Sequence, residues 1–149
     1  LLAAGANLNA TDKRGNTALL SVRDGARGDQ QANQVLAITR RLLAAGINVN
    51  AQDVQGESAL IHTMRFSNVL RQYEIARMLV EHGANVNAYN HYHGTVLDVA
   101  KQREHPNQKI VDWLIVHGAK SHTELGLVLK GHNEPEETPD PNLGRNRGR

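Results

Sequence analysis

The sequence predicts an all-α solenoid of stacked helix-turn-helix units with β-hairpin-like turns, and three observations carry this prediction. Hydrophobic residues make up 40% of the 149 residues but aromatic residues only 3%, so the core must be aliphatic and finely divided. One aliphatic segment that ends in glycine recurs along the chain. A second landmark recurs at the same spacings, and periods of this length are typical of repeat proteins.

The recurring segment is best seen at the start of the chain, where it is Leu-Leu-Ala-Ala-Gly-Ala-Asn-Leu-Asn-Ala. The glycines of its four copies are Gly5, Gly46, Gly83 and Gly118. Successive glycines lie 41, 37 and 35 residues apart. Because glycine adopts the left-handed conformation without a Cβ penalty, each copy predicts the end of a helix.

The second landmark is a turn followed by a hydroxyl residue. Asp12-Lys13-Arg14-Gly15 and Asp53-Val54-Gln55-Gly56 fit tight turns with Asp first and Gly fourth. The hydroxyl residues Thr17, Ser58 and Thr95 follow at spacings of 41 and 37, as between the glycines. We therefore expect each hydroxyl to cap the N-terminus of a short helix.

A second helix in each unit is predicted by aliphatic residues that form a buried stripe upstream of the glycine. Its members are Ile38 with Leu42 and Leu43, Ile75 with Leu79, and Ile110 with Leu114. The units differ in length between their two helices. The polar stretch 23–34 predicts a loop in the first unit, whereas Met64, Phe66, Val69 and Leu70 predict longer helices in the second.

These features resemble the ankyrin repeat, which has a period of about 33 residues and a Thr-Pro-Leu-His-x-Ala signature. The matching segments are Thr17-Ala18-Leu19, Ser58-Ala59-Leu60 and Thr95-Val96-Leu97-Asp98-Val99-Ala100. Proline is absent from all three, so the helix starts are expected to depend on their hydroxyl caps. The resemblance covers roughly residues 1–125.

The predicted organisation has five parts. They are a partial repeat over 1–7, repeats over about 8–48, 49–85 and 86–120, and a cap over 119–129. Leu1 and Leu2 fill the last core positions of a helix whose beginning is absent, so we expect a fragment with at least one further repeat upstream. Residues 130–149 contain three prolines and balanced charge, and they predict a disordered tail.

Composition excludes several kinds of chemistry. The absence of cysteine excludes disulfides and thiol catalysis, and no apolar run approaches the roughly 20 residues of a membrane span. The net charge of +2 gives no reason to expect a nucleic-acid partner. His91 and His93 could chelate a metal ion, but no third ligand is evident, so surface histidines are favoured. His82 and His117, each before a helix-ending glycine, suit the negative end of the helix dipole.

No catalytic or phosphate-binding motif occurs, so we expect a monomeric, non-enzymatic protein without cofactor or metal. In the ankyrin family, partner proteins are usually held by the turn tips and the exposed side of the first helix. Carried over to this sequence, the resemblance implies contacts from Lys13, Arg14, Asn16, Gln52, Val54, Gln55, Arg65, Phe66, Tyr89, His91, Tyr92 and Arg103. Packing of Tyr89 against the neighbouring turn remains an equal alternative, and Trp113 is interpreted as a packing residue. An alternative function is an accessory module of a larger catalytic or nucleic-acid-binding protein.

Overall fold

The computed structural model of the chain describes residues 7–21, 29–65, 69–92 and 94–127. Its helices are α1 (Ala18–Ser21), α2 (Asp29–Ala44), α3 (Ala59–Thr63), α4 (Val69–Glu81), α5 (Val96–Lys101) and α6 (Gln108–Val116). The described residues contain no strand, only two isolated antiparallel bridges, Gln52 with Ser58 and Tyr89 with Thr95. The predicted all-α fold with hairpin-like turns is confirmed.

Short and long helices alternate along the chain and form two layers. The short inner helices α1, α3 and α5 each contact the long outer helix that follows them, and α1 also contacts α3, which contacts α5. In the outer layer, α2 contacts α4. No helix in the described ranges is long and apolar enough to cross a membrane.

The core between the layers is aliphatic, as the composition predicts. Its largest fully buried hydrophobic side chains are Leu60, Ile61, Met64, Leu79, Leu97, Ile110 and Leu114. The predicted stripes of α4 and α6 are confirmed, but the prediction for Ile38 is wrong, since 46% of this residue is exposed. Thr39 is buried instead, and its hydroxyl donates to the carbonyl of Val35 (2.7 Å). At about 100° per residue, Leu36 and Ile38 lie at the two opposite edges of the buried face.

The outer helices become shorter along the chain, as the repeats do. They contain 16, 13 and 9 residues, in the same order as the glycine spacings of 41, 37 and 35. The loop predicted over 23–34 is therefore wrong from Asp29 onward, because α2 begins there. Residues 29–34 are Asp-Gln-Gln-Ala-Asn-Gln, and glutamine and alanine favour helices.

Each described outer helix ends at its glycine in the same hydrogen-bonded motif. At Gly83 (φ 91°), the Gly83 N–H donates to Val80 and the Ala84 N–H donates to Leu79 (2.9 Å). This pair of bonds is a Schellman motif, and the apolar residue after the glycine is buried, as the motif favours. Gly46 and Gly118 repeat the motif, whereas Gly5 lies outside the described residues.

Two of the three predicted helix caps form. The Ser58 hydroxyl accepts from the Ile61 N–H, and Thr95 forms a reciprocal capping box with Asp98. The prediction for Thr17 is wrong, because its buried hydroxyl has no hydrogen-bond partner in the structure described. The helix that follows Thr17, α1, consists of only four residues.

A short turn over residues 121–127 follows the last outer helix and is attached to α5. Asp98 accepts the His122 N–H (2.9 Å), and Nδ1 of His122 lies 3.0 Å from the second Asp98 oxygen. Within the turn, Glu124 accepts both the N–H and the hydroxyl of Ser121. The described part of the predicted cap thus docks on an inner helix through side chains that the sequence reasoning had not paired. The predicted tail over 130–149 lies outside the described residues.

Candidate protein-interaction surface

Three hairpin turns, here called the fingers, project from the starts of the inner helices at residues 10–17, 51–58 and 88–95. Each finger is held by one side chain at its base: Asp12, Asp53 or Asn90. In all three, Oδ1 of that residue accepts the backbone N–H groups two and four residues later, at 2.8–3.1 Å. Bonding of this kind by Asp and Asn mimics a backbone turn and explains why the fingers share one shape.

Backbone hydrogen bonds join each finger to the next. The Val54 N–H donates to the Arg14 carbonyl (3.0 Å), and the His91 N–H donates to the Gln55 carbonyl (2.9 Å). Gly56 has φ +76°, and a Cβ there would lie 2.6 Å from Cδ2 of His91. Both its backbone conformation and the close approach of His91 therefore require glycine at this position. The three fingers form one continuous row.

The predicted contact residues occupy different positions on this row. Eight are exposed, namely Lys13, Arg14, Gln52, Val54, Gln55, Arg65, Tyr89 and His91. Asn16, Tyr92 and Arg103 are partly buried, and Phe66 lies outside the described residues. Val54 is 60% exposed and Tyr89 45%, so the row presents two large hydrophobic side chains to solvent.

Two of the predicted residues use their amides to hold the fingers together. Nε2 of Gln52 donates to the carbonyls of Gly56 (2.8 Å) and Tyr89 (3.2 Å), and so clamps the second finger to the third. Nδ2 of Asn16 donates to Asp12 within the first finger (3.2 Å). These bonds give Gln52 and Asn16 a supporting role in the shape of the row.

A charged network lies beneath the second finger. Nε2 of His62 lies 3.0 Å from Oδ2 of Asp53, and Nδ1 lies 3.7 Å from Oε2 of Glu57. Arg65 forms an ion pair with Oε2 of Glu57, and Asn90 donates to Oε1 (3.2 Å). Burial would raise the pKa of Glu57, but the hydrogen bond and positive charge of Arg65, with the Asn90 amide, hold that pKa below its ordinary value.

The sequence reasoning missed this network, although its members include metal-ligand types. Ligand atoms of Asp53, Glu57 and His62 lie within 4.8 Å of one another. A signal was available, because the first unit has Asn16 and Ser21 where the second has Glu57 and His62. In the structure, however, both Glu57 oxygens already have partners in Arg65 and Asn90. The ion-pair network therefore accounts for the cluster without a metal.

On the opposite side of the stack, the loops after the outer helices are connected by asparagine side chains. Oδ1 of Asn50 accepts the Asn85 N–H (2.8 Å), while Nδ2 donates to the Gly83 carbonyl (3.1 Å). Asn87 makes the same two bonds to Lys120 and Gly118, and Asn9 accepts from Asn48. The Asn-x-Asn repeat in the sequence therefore links each unit to the next by hydrogen bonds.

The histidines and the tryptophan of the outer helices also have structural positions. Nδ1 of His82 lies 2.8 Å from the Met78 carbonyl, and Nδ1 of His117 lies at the same distance from that of Trp113. Both contacts occupy carbonyls at helix ends, where a structural role was predicted. The partly buried Trp113 packs edge-on against Tyr73 (5.8 Å between ring centroids) and lies over His117, consistent with its interpretation as a packing residue.

Paired inner and outer helices, projecting hairpins and glycine-ended outer helices are all in place across the described units. A family model of ankyrin repeats in three copies matches residues 26–124. The chain belongs to the ankyrin-repeat family. Ankyrin repeats are generally protein–protein interaction modules and typically non-catalytic. No curated protein matches the chain.

Proposed function

We propose that this ankyrin-repeat chain is a monomeric, non-enzymatic scaffold that holds a partner protein against its finger row. The observation that carries the proposal is the bonding of Arg14 to Val54 and of Gln55 to His91, which makes three separate turns into one row. A row whose backbone is already ordered loses little conformational entropy when a partner binds. Its outward side chains are then available for recognition.

The composition of the tips supports the same function. Along the row, the tip residues change from Lys13 and Arg14 to Val54 and Gln55, and then to the exposed His91 and the partly buried Tyr92. Arginine and tyrosine are enriched among residues that dominate binding energy, and Val54 offers an exposed apolar contact beside them. Because the side chains at one end of the row differ from those at the other, the row favours one partner orientation over the reverse.

The proposed contact set is narrower than the set predicted from the sequence. Gln52 and Asn16 support the fingers, so their loss is expected to affect binding indirectly. The direct contacts in this proposal are Lys13, Arg14, Val54, Gln55, Arg65, Tyr89, His91, Tyr92 and Arg103. Phe66 stays in the predicted set without structural support, since it lies outside the described residues.

A pull-down with matched variants tests this proposal. The bait proteins are the unmodified chain, an Arg14→Ala/Tyr92→Ala variant at the tips, and an Arg40→Ala/Arg41→Ala variant on the exposed face of α2. Mass spectrometry identifies the captured proteins, and thermal melting verifies that all three baits are folded. We expect the tip variant alone to lose its specific partner. Loss in the α2 variant with retention in the tip variant would place the binding surface on the outer helices.

The same experiment addresses the accessory-module alternative. A chain that binds a partner through its own finger row acts as an interaction module whatever else is attached to it. The alternative, in which a catalytic or nucleic-acid-binding domain outside this chain carries the activity, is favoured instead if the unmodified chain captures no specific partner.

A further inference from the structure

His62 of α3 lies beneath the finger row, between two carboxylates, with only 6% of the residue exposed. Its Nε2 is 3.0 Å from Oδ2 of Asp53, and its Nδ1 is 3.7 Å from Oε2 of Glu57. Arg65 joins the same cluster through its ion pair with Glu57. Because a histidine ordinarily changes its charge between about pH 5 and pH 8, the net charge of this cluster depends on pH.

The geometry favours the charged form of the ring. An ionised carboxylate only accepts hydrogen bonds, so Nε2 of His62 carries a proton beside Asp53 in either charge state. Nδ1 differs between the two states, because a neutral ring turns a lone pair towards Glu57 whereas a charged ring turns a proton towards it. When the ring is charged, it and Arg65 balance the two carboxylates, whereas a neutral ring leaves one negative charge unbalanced among these four groups.

The pKa of Glu57 reflects the same interaction. Burial would raise that pKa, but Arg65, Asn90 and the positive charge of His62 hold it below its ordinary value. Since the attraction between two opposite charges is mutual, Glu57 favours the charged ring of His62 to the same extent.

Both carboxylates also hold the fingers in place. Oδ1 of Asp53 accepts the N–H groups of Gln55 and Glu57 within the second finger, each at 2.9 Å. Oε1 of Glu57 accepts from Nδ2 of Asn90 (3.2 Å), and Oδ1 of Asn90 holds the third finger. The charge of His62 therefore acts on two fingers through the two carboxylates that it contacts.

The first finger provides an internal contrast. Asp12 accepts the N–H groups of Arg14 and Asn16 in the same pattern, at 2.8 and 2.9 Å. Ser21, however, occupies the register position of His62, 41 residues earlier in the chain. A serine does not change its charge, so we expect the first finger to keep one shape across this pH range.

Other charged groups surround α3. Helices α1, α4 and α5 pack against it, and α1 contains no charged residue. The charged residues of the other two helices are Arg71, Glu74, Arg77, Glu81, Asp98 and Lys101. Side chains of these types ordinarily keep their charge between about pH 5 and pH 8. Three further histidines require controls, namely His91 and His93 in the sequence of the third finger and His122 beside Asp98.

We propose that His62 is a pH-sensitive switch beneath the finger row: its charged form holds the second and third fingers in the shape that binds the partner, and the loss of this charge at higher pH loosens them. This inference rests on the proposed function of the row. Because folding favours the charged form, the added stability is present towards pH 5 and is lost as the pH rises to about 8. Partner binding is expected to weaken over the same range.

An NMR titration of the full chain tests the switch. We expect the backbone amide signals of Gln55 and Tyr92 to shift with the same midpoint as the ring of His62, while those of Arg14 and Asn16 stay constant. This comparison needs no variant. Different midpoints for the ring and for the second and third fingers, or an equal shift of the first finger, would overturn the proposal.

Matched variants assign the effect to one histidine. His62→Asn keeps a side-chain N–H donor but cannot become charged, so the shift of Gln55 should disappear. A variant with His91→Asn, His93→Asn and His122→Asn retains His62 and should keep that shift. In thermal melts, the unmodified chain should exceed His62→Asn by a larger margin at about pH 5.5 than at about pH 8. The opposite result for the two variants, or a margin that does not depend on pH, contradicts the switch.

Binding of the partner supplied by the pull-down separates this inference from the proposed function. If both are correct, the unmodified chain binds the partner several-fold more weakly at about pH 8 than at about pH 5.5, and His62→Asn loses this dependence. If the tip variant loses the partner but the finger signals do not follow His62, the switch fails while the function stands. If the signals follow His62 but the tip variant retains its partner, the proposed function fails instead. Equal affinity of the unmodified chain at both pH values would show that the switch does not regulate binding and would overturn that part of the proposal.

Discussion

The two sides of the stack are built from the same kind of element, a turn between helices, but they use it differently. On the loop side, Asn9, Asn50 and Asn87 make nearly identical bonds to the next unit. On the finger side, the backbone is equally regular, but the outward side chains change from one finger to the next. Regular side chains on one side hold the units in register, whereas the fingers keep one backbone shape while their side chains vary.

The second finger departs from this division, because it has a structural network of its own. Asp53 and Glu57 bind His62 and Arg65 of the same unit, whereas the corresponding Asp12 binds only backbone groups and Asn16. Through Asn90, the same network reaches the third finger. The middle of the row is therefore stabilised by ion pairs, and its ends by hydrogen bonds of the Asp12, Asn16 and Asn90 side chains.

The largest expected effect belongs to the core that both sides share. Leu79 of α4 is fully buried, so Leu79→Ala removes packing in the middle of the outer layer. We expect the free energy of unfolding to fall by about 2–5 kcal/mol, the usual range for a buried leucine. Urea unfolding followed by circular dichroism measures this. A silent substitution would mean that the packing of the outer layer described here is wrong.

The next effect distinguishes the second finger from the first. Glu57→Gln leaves Arg65 without its carboxylate and removes the more distant of the two carboxylates beside His62, which keeps Asp53. We expect the free energy of unfolding to fall by roughly 1–3 kcal/mol, reduced by the 43% exposure of the Arg65 side chain. Asn16→Ala at the corresponding position of the first finger should cost less, because it removes a single exposed bond. Equal losses at the two positions would contradict the special role of the second finger.

The pH dependence of stability, measured for the unmodified chain and for Glu57→Gln, identifies the cause of the loss. The pKa of Glu57 is lower in the folded protein than in the unfolded chain, so its contribution to stability is present above the unfolded pKa of about 4.3 and is lost as the pH falls through the lower folded pKa. The difference in stability between the unmodified chain and Glu57→Gln should therefore shrink below about pH 4. A difference that stays constant down to pH 3 would indicate lost packing as the cause.

The sequence predicted the fold well because its signals are local and periodic. Each glycine marks the end of its own helix, and the distance between successive glycines gives the length of the repeat. The network of Asp53 and His62 was missed because it joins a finger to an inner helix nine residues away. That separation matches neither the helical period nor the repeat length. The prediction that Ile38 is buried was wrong for a different reason. A helical stripe locates the centre of the buried face but does not tell how far neighbouring elements cover its edges.

A smaller effect on stability is expected from the asparagine bonds between the loops after the outer helices. Asn48 and Asn50 are both exposed, but the Asn48 side chain bonds only within its own loop, whereas Asn50 bonds Gly83 and Asn85 of the next unit. We expect Asn50→Ala to lower the free energy of unfolding by about 1 kcal/mol and Asn48→Ala by less. Two-state fits to urea unfolding of the two variants make the comparison. Equal losses would show that cross-unit bonding adds nothing to stability.

The smallest expected effect is that of zinc on the charged network. Asp53, Glu57 and His62 offer two carboxylates and an imidazole, which zinc accepts as ligands. To bind there, however, the ion would have to displace Arg65 and Asn90 from Glu57 and separate His62 from Asp53. We therefore expect equimolar zinc or a chelator to shift the melting temperature by less than about 1 °C, since only binding to the folded state stabilises it. A rise of several degrees that is abolished by His62→Asn but retained in His91→Asn would instead identify a metal site under the second finger. The same rise abolished only by His91→Asn would locate the ion on the exposed tip of the third.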